Sequence, residues 1–283
     1  MTRADVGTLD YVMSFPTSFI LLQREAHLAQ GTLSIGLTAL RNAVFPDIPA
    51  VYSGFFNTSI ALERVMKLIV VSDHMVMNAF AAPEKKELLG YGHDLVELYS
   101  SCAAVALRQN STPFELPIRG SIECEILEFL SEFAKRSRYY NLDALSSSPQ
   151  GYGNPLERWS KVLGDVLNAD VPKGKISQAL ARIDAFSRAM EGYMHTIQHG
   201  MDGSRLTAEE VFRIPALQAM ATPYAMVHVF RILTPLLETL ARLGRRGFYD
   251  SPRTDGPRIP EFSEFFYAFG GSDAEIRRKK RWP

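Results

Sequence analysis

The sequence predicts an all-α fold, and three observations carry that expectation. Apolar residues recur at helical spacing over long stretches, Gly, Pro and capping residues bound those stretches, and hairpin signals such as Asn-Gly are absent. Taken in order, Thr17 to Val44 reads as a helix ending before the breaker Pro46-Asp47-Ile48-Pro49. Val51 to about Asn78 is apolar on most faces, the pattern of a central buried helix. Next comes a loop around Ala82 to Lys86. Asp94 is then a natural N-cap for a helix through Arg108, because its carboxylate can accept the free N–H groups of the first turn. Beyond Pro113 and Pro117, a helix covers roughly Ile118 to Arg136.

Ser146 to Pro155, rich in Ser, Gly and Pro, is the best linker candidate and divides the chain into regions 1–145 and 146–283. The second region is expected to be helical and packed against the first. Asn154-Pro155 reads as N-cap and first residue of a helix to Asn168, and a long helix is expected from about Lys175 to Met201. Thr207-Ala208-Glu209-Glu210 has capping-box spacing, so another helix starts there. Pro215, Pro223 and Pro235 are expected to chop the segment up to Leu243 into shorter or kinked pieces. The last forty residues carry an aromatic cluster and the basic run Arg277-Arg278-Lys279-Lys280-Arg281, expected to be solvated and able to attract phosphate.

Composition narrows the function classes. Lys plus Arg equals Asp plus Glu at 31 each, so no global field favours nucleic acid or membrane, and an RNA-binding role needs a local basic patch. No apolar run approaches the ~20 residues of a membrane span. The opening residues, with Arg3, Asp5 and Asp10, do not read as a secretory signal. Two cysteines, Cys102 and Cys124, make no disulfide framework, and a reducing cytosol is the simplest setting. A phosphate-cradling glycine loop, a G-x-S-x-G elbow, paired CxxC motifs and a Rossmann fingerprint are all missing. NTPase, serine-hydrolase, zinc-ribbon and dehydrogenase chemistries drop out with them.

Three segments, in order, resemble a HEPN helical domain. They are Ala61-Leu62-Glu63-Arg64-Val65-Met66-Lys67 on the long apolar helix, Gly92-His93-Asp94-Leu95-Val96-Glu97-Leu98 at a helix start, and Ser137-Arg138-Tyr139-Tyr140. The resemblance covers about residues 51–145 and implies a HEPN-like helical bundle for the first region. It also implies an RNA-directed protein of a toxin or defence system: a homodimer, with RNA and a cognate antitoxin or nucleotidyltransferase as partners and no cofactor. On that reading His93, Arg138, Tyr139 and Asn141 are candidate RNA or phosphate contacts, since Arg pairs with phosphate and tyrosines stack on bases. Each also has a structural reading. His93-Asp94 is a helix cap, Glu63 and Lys67 are an i,i+4 helix pair, and the Arg-Tyr segment is an amphipathic edge.

Catalytic members of that family carry an Arg, four to six residues, then a His, and work without metal. The Arg138 segment offers no His at that spacing. Arg188 and His195 do have it, outside the region of resemblance, and on one long helix they would share a face with Glu191. They are therefore the candidate catalytic pair, against the plainer reading of a solvated helix face. His195 and His199 have the i,i+4 spacing of metal ligands, but Thr196 stands where the metalloprotease signature needs Glu and no third ligand is visible, so no metal is expected. Two functions survive: a metal-independent endoribonuclease, or a non-catalytic helical module binding a partner protein or nucleic acid.

Overall fold

The computed structural model describes residues 15–90, 92–146, 151–190, 193–194, 196–251 and 256–283. The linker residues 147–150, the opening residues Arg3, Asp5 and Asp10, and the candidates Glu191 and His195 lie outside them. The fold is all-α, with no strand among the described residues; one isolated bridge pairs His199 with Arg205.

The first two helices, α1 (Thr17–Asn42) and α2 (Ile48–Met77), form an antiparallel pair, and α2 is the central helix its composition predicts. Phe55, Leu62, Val65, Met66 and Ile69 are fully enclosed along it. Two glycines set the close approach. A Cβ on Gly36 would lie 2.5 Å from the Thr58 nitrogen, and one on Gly54 would lie 2.8 Å from Leu40 Cδ2. A short α3 (Lys85–Gly90) leads to α4 (Leu95–Arg108) and α5 (Ile122–Lys135), which close over α2. The latter two begin at local caps. The Asp94 carboxylate accepts from the N–H groups of Val96 and Glu97, and the Ser121 hydroxyl accepts from that of Cys124. A 3-10 turn (Ser137–Tyr139) and the single-turn α6 (Tyr140–Asp143) end the first region.

The second region opens with α7 (Pro155–Asp170), capped by Asn154, and α8 (Lys173–Ala189). It continues with α9 (Ala208–Tyr249), α10 (Ser263–Phe266) and α11 (Asp273–Arg278). Thr207 forms the expected capping box with Glu210 at the start of α9. That helix runs through the molecule against α1, α2, α4, α5 and α7, so one hydrophobic core joins residues from both regions. Among the described residues no helix is long and apolar enough to cross a membrane, and Cys102 and Cys124 are both free.

Two expectations fail here. Pro215, Pro223 and Pro235 do not break α9, which is continuous over 42 residues. An internal proline costs about 3 kcal/mol. Each large apolar side chain buried from Met226 to Leu243 returns about 1.5–3 kcal/mol, and there are nine of them, so packing outweighs local propensity. The long helix expected to Met201 instead stops at Ala189. Nothing on α8 is fully buried, so little tertiary packing supports a longer helix, and the chain beyond turns into the tight loop in which the Gly200 nitrogen donates to the Ser204 carbonyl at 2.8 Å.

The basic run does not fray: its backbone is docked, while the side chains of Arg278, Lys280 and Arg281 stay exposed as expected. Ile276 and Trp282 bracket it as buried anchors, and Trp282 stacks on Phe230 at 5.7 Å. Its backbone lies along the polar side of α1. Ser34 Oγ donates to the Trp282 carbonyl at 2.8 Å, Asn42 Nδ2 to that of Lys280 at 2.8 Å, and Arg41 Nη2 to that of Arg277 at 3.2 Å.

Candidate functional site

Glu63 lies on α2, one turn before Lys67, whose Nζ donates to Glu63 Oε1 at 2.7 Å. Gly92, with φ of +60°, turns the chain into His93 immediately before the α4 cap. That cap is a rigid mount. Asp94 pairs with Lys135 and accepts from Ser131 Oγ at 3.0 Å, while Ser131 Oγ accepts from the Leu95 nitrogen at 3.0 Å. The ring beside it reaches back across 30 residues, and His93 Nδ1 lies 2.8 Å from Glu63 Oε1. Arg138, in the 3-10 turn after α5, completes the wall of a cleft of about 270 Å³ lined by Phe56, Ser59, Glu63, His93, Lys135 and Arg138, among others. The three segments that carry the family resemblance thus meet at one place.

The electrostatics of the cleft favour an oriented histidine. Burial pushes the Glu63 carboxyl up, but the hydrogen bonds and charges of Lys67 and His93 outweigh it and hold the group below the ordinary carboxylate value. Burial opposes Asp94 likewise and is outweighed by its bonds to Lys135, Ser131 and the α4 backbone. An ionised Glu63 only accepts, so the Nδ1 facing it carries the proton, and Nε2 has no protein partner among the described residues. The His93 side chain is 73% exposed. Arg138 is exposed and makes no ion pair among the described residues; its guanidinium lies 5.2 Å from the centroid of the exposed Tyr139 ring. Asn141, on α6, sits beside the Tyr52 hydroxyl, whose pKa is raised by burial against the influence of Asn141.

Arg188 is exposed in the last turn of α8, where its Nε donates to the Asp184 carbonyl at 3.2 Å. That helix ends at Ala189, one residue after Arg188, and the other two members of the candidate set, Glu191 and His195, lie outside the described residues. His199 sits in the bridge to Arg205 and is not helical, which removes the i,i+4 ligand geometry. Among the described residues no group of three His, Cys, Asp or Glu side chains is arranged to hold a metal ion.

Sequence reasoning missed a second histidine cluster. His228 on α9 is 6% exposed; its Nδ1 lies 2.7 Å from Glu123 Oε1 and its Nε2 lies 2.8 Å from Asp170 Oδ2. Arg231 adds contacts to Glu123 at 3.1 Å and Asp273 at 3.3 Å. Burial raises the Glu123 carboxyl, but the bonds to His228 and Arg231 outweigh this and leave it below its ordinary value. With a carboxylate oxygen within 2.8 Å of each nitrogen, the ring is held from both sides and no nitrogen remains for a substrate. The one signal in the sequence was a histidine in an apolar helix, which names no partner. Comparison of the chain with protein-family models, curated proteins and solved structures finds no match.

Proposed function

We propose that the chain acts on RNA at the Glu63–His93–Arg138 cleft, as a HEPN-like, metal-independent endoribonuclease. The observation that carries this reading is the convergence of three segments, far apart in sequence, on one open cleft holding an oriented His and an Arg that makes no ion pair among the described residues. His93 Nε2 takes the proton of a ribose 2′-hydroxyl as that oxygen attacks the adjacent phosphorus. The bond from phosphorus to the 5′-oxygen breaks, and that oxygen leaves as an alcohol after receiving a proton from the His93 imidazolium. The products are a 2′,3′-cyclic phosphate and a 5′-hydroxyl. Arg138 steadies the charge that develops on the phosphoryl oxygens, and Tyr139 offers a ring for a neighbouring base. Glu63 is a positioning residue, fixing the tautomer and orientation of His93.

The catalytic pair in this reading is therefore His93 with Arg138, in place of Arg188 with His195. Cleavage of a fluorescent single-stranded RNA tests it. His93→Ala is expected to slow cleavage about 10²- to 10⁴-fold, the usual worth of a general base, with helical circular dichroism unchanged. Arg188→Ala is expected to leave the rate within about twofold. Full activity in His93→Ala overturns the assignment. RNA bound by the wild-type chain but never cut leaves the non-catalytic module as the function of the same cleft.

A further inference from the structure

A groove of about 450 Å³ opens between the first turn of α8, the middle of α9 and α11. Its floor is apolar, with Val171, Met220 and Pro223, and its rim carries Lys175, Arg277 and Arg278. No carboxylate lines it. Acids stand just outside it: Asp170 and Asp273 line the smaller adjoining pocket and are engaged by His228 and Arg231, and Glu275, in the capping box of α11, feels the charge of Arg278. In a chain whose formal charge is zero, three cations with no acid among them form a local positive field.

The two arginines are also held in place. The Arg277 guanidinium lies 5.0 Å from the centroid of the Tyr224 ring, and the Arg277 carbonyl is tied to Arg41. Arg278 bonds through Nε to the Ala274 carbonyl at 3.2 Å and makes no ion pair among the described residues, nor does Lys175. The docking of Trp282 onto α1 keeps the α11 end from fraying.

We propose that this groove is a second binding site, for the phosphate ester of a nucleotide, distinct from the cleft around His93. Two guanidinium forks and an ammonium match the oxygens of a phosphate better than a single carboxylate. A groove in the 300–1,000 Å³ range of small-molecule sites, with an apolar floor, holds more than a bare inorganic anion. The phosphate can belong to a free nucleotide or to a strand of RNA, the chemistry at the rim being the same.

The test is calorimetric titration at low salt of the full chain carrying Arg138→Ala, so that the first cleft contributes little. The probes are AMP, a single-stranded RNA octamer, inorganic phosphate and a glutamate-rich peptide. AMP or the octamer is expected to bind, more weakly as salt rises. Adding Lys175→Gln and Arg278→Gln, both exposed and neither anchoring the core, is expected to weaken that binding tenfold or more with the unfolding midpoint unchanged. Binding of AMP assigns a free nucleotide, and binding of the octamer alone assigns a strand; either supports the site. Equal affinity in the triple variant, phosphate bound as tightly as AMP, or preference for the acidic peptide overturns it. The result stands apart from the cleavage assay, which reads His93 and not this groove.

Discussion

His93 and His228 make the same kind of contact, a ring nitrogen on a glutamate oxygen at 2.8 and 2.7 Å, in opposite settings. His93 stands at a helix start with one carboxylate and an open face, whereas His228 is enclosed in α9 between two carboxylates from α5 and α7. The count of occupied nitrogens, more than the presence of a carboxylate, thus separates a histidine that can move a proton from one that ties helices together. A ring nitrogen with no partner among the described residues, close to an arginine that makes no ion pair among them, is the arrangement that the proposed chemistry uses. Two occupied nitrogens in the interior make a strut.

That contrast predicts unequal costs. The largest is His228→Leu, which leaves the Asp170 carboxylate without its ring partner and Glu123 with Arg231 alone. Removing one partner of a buried ion pair costs about 3–5 kcal/mol, and the partial exposure of both carboxylates reduces this to about 2–3 kcal/mol. Urea unfolding measures it, and a loss under about 1 kcal/mol would put His228 on the footing of an exposed pair such as that of His93.

Acid provides the next test. Glu63, Asp94 and Glu123 all have folded pKa values below their unfolded ones. Their contribution is present above the unfolded carboxylate value of about 4 and is lost as pH falls through the lower folded values. Urea midpoints taken from about pH 6 to about pH 3 are expected to drop across that window. In His228→Leu the drop should be shallower, because Glu123 then has less to lose.

Smaller effects belong to the open cleft. Glu63→Gln removes the charge shared by Lys67 and His93 but keeps an acceptor for Nδ1–H, and is expected to cost about 0.5–1 kcal/mol. His93→Ala should change stability by no more than about 0.5 kcal/mol, the scale of an exposed ion pair. A cost for His93→Ala matching that of His228→Leu would make both residues struts and remove the basis for chemistry at the cleft.

Much of the helical framework was legible because its signals are local. Asp94, Asn154 and Thr207 cap the helices expected of them, since a capping side chain reaches only the next few N–H groups. The α2 helix was readable as central from its composition. The continuity of α9 through three prolines was not, because a local penalty was set against burial on neighbours that no local window contains. The docked basic run escaped notice for the same reason, its anchors Ile276 and Trp282 having meaning only once α1 and Phe230 are beside them.

His93, Arg138, Tyr139 and Asn141 were each identifiable in the sequence as candidate contacts, and Glu63 with Lys67 as a helix pair. Their assembly was not identifiable. Glu63 and His93 are 30 residues apart, and His228 finds partners 58 and 105 residues away. Local rules were enough for the all-α class, the caps and the central helix, because backbone hydrogen bonding and helical periodicity act over a few residues. Which histidine keeps a free nitrogen, and which cations share a groove, was settled by tertiary packing. Those outcomes depend on long-range contacts that bring charges within about 3 Å, where desolvation and hydrogen bonding determine each group's state.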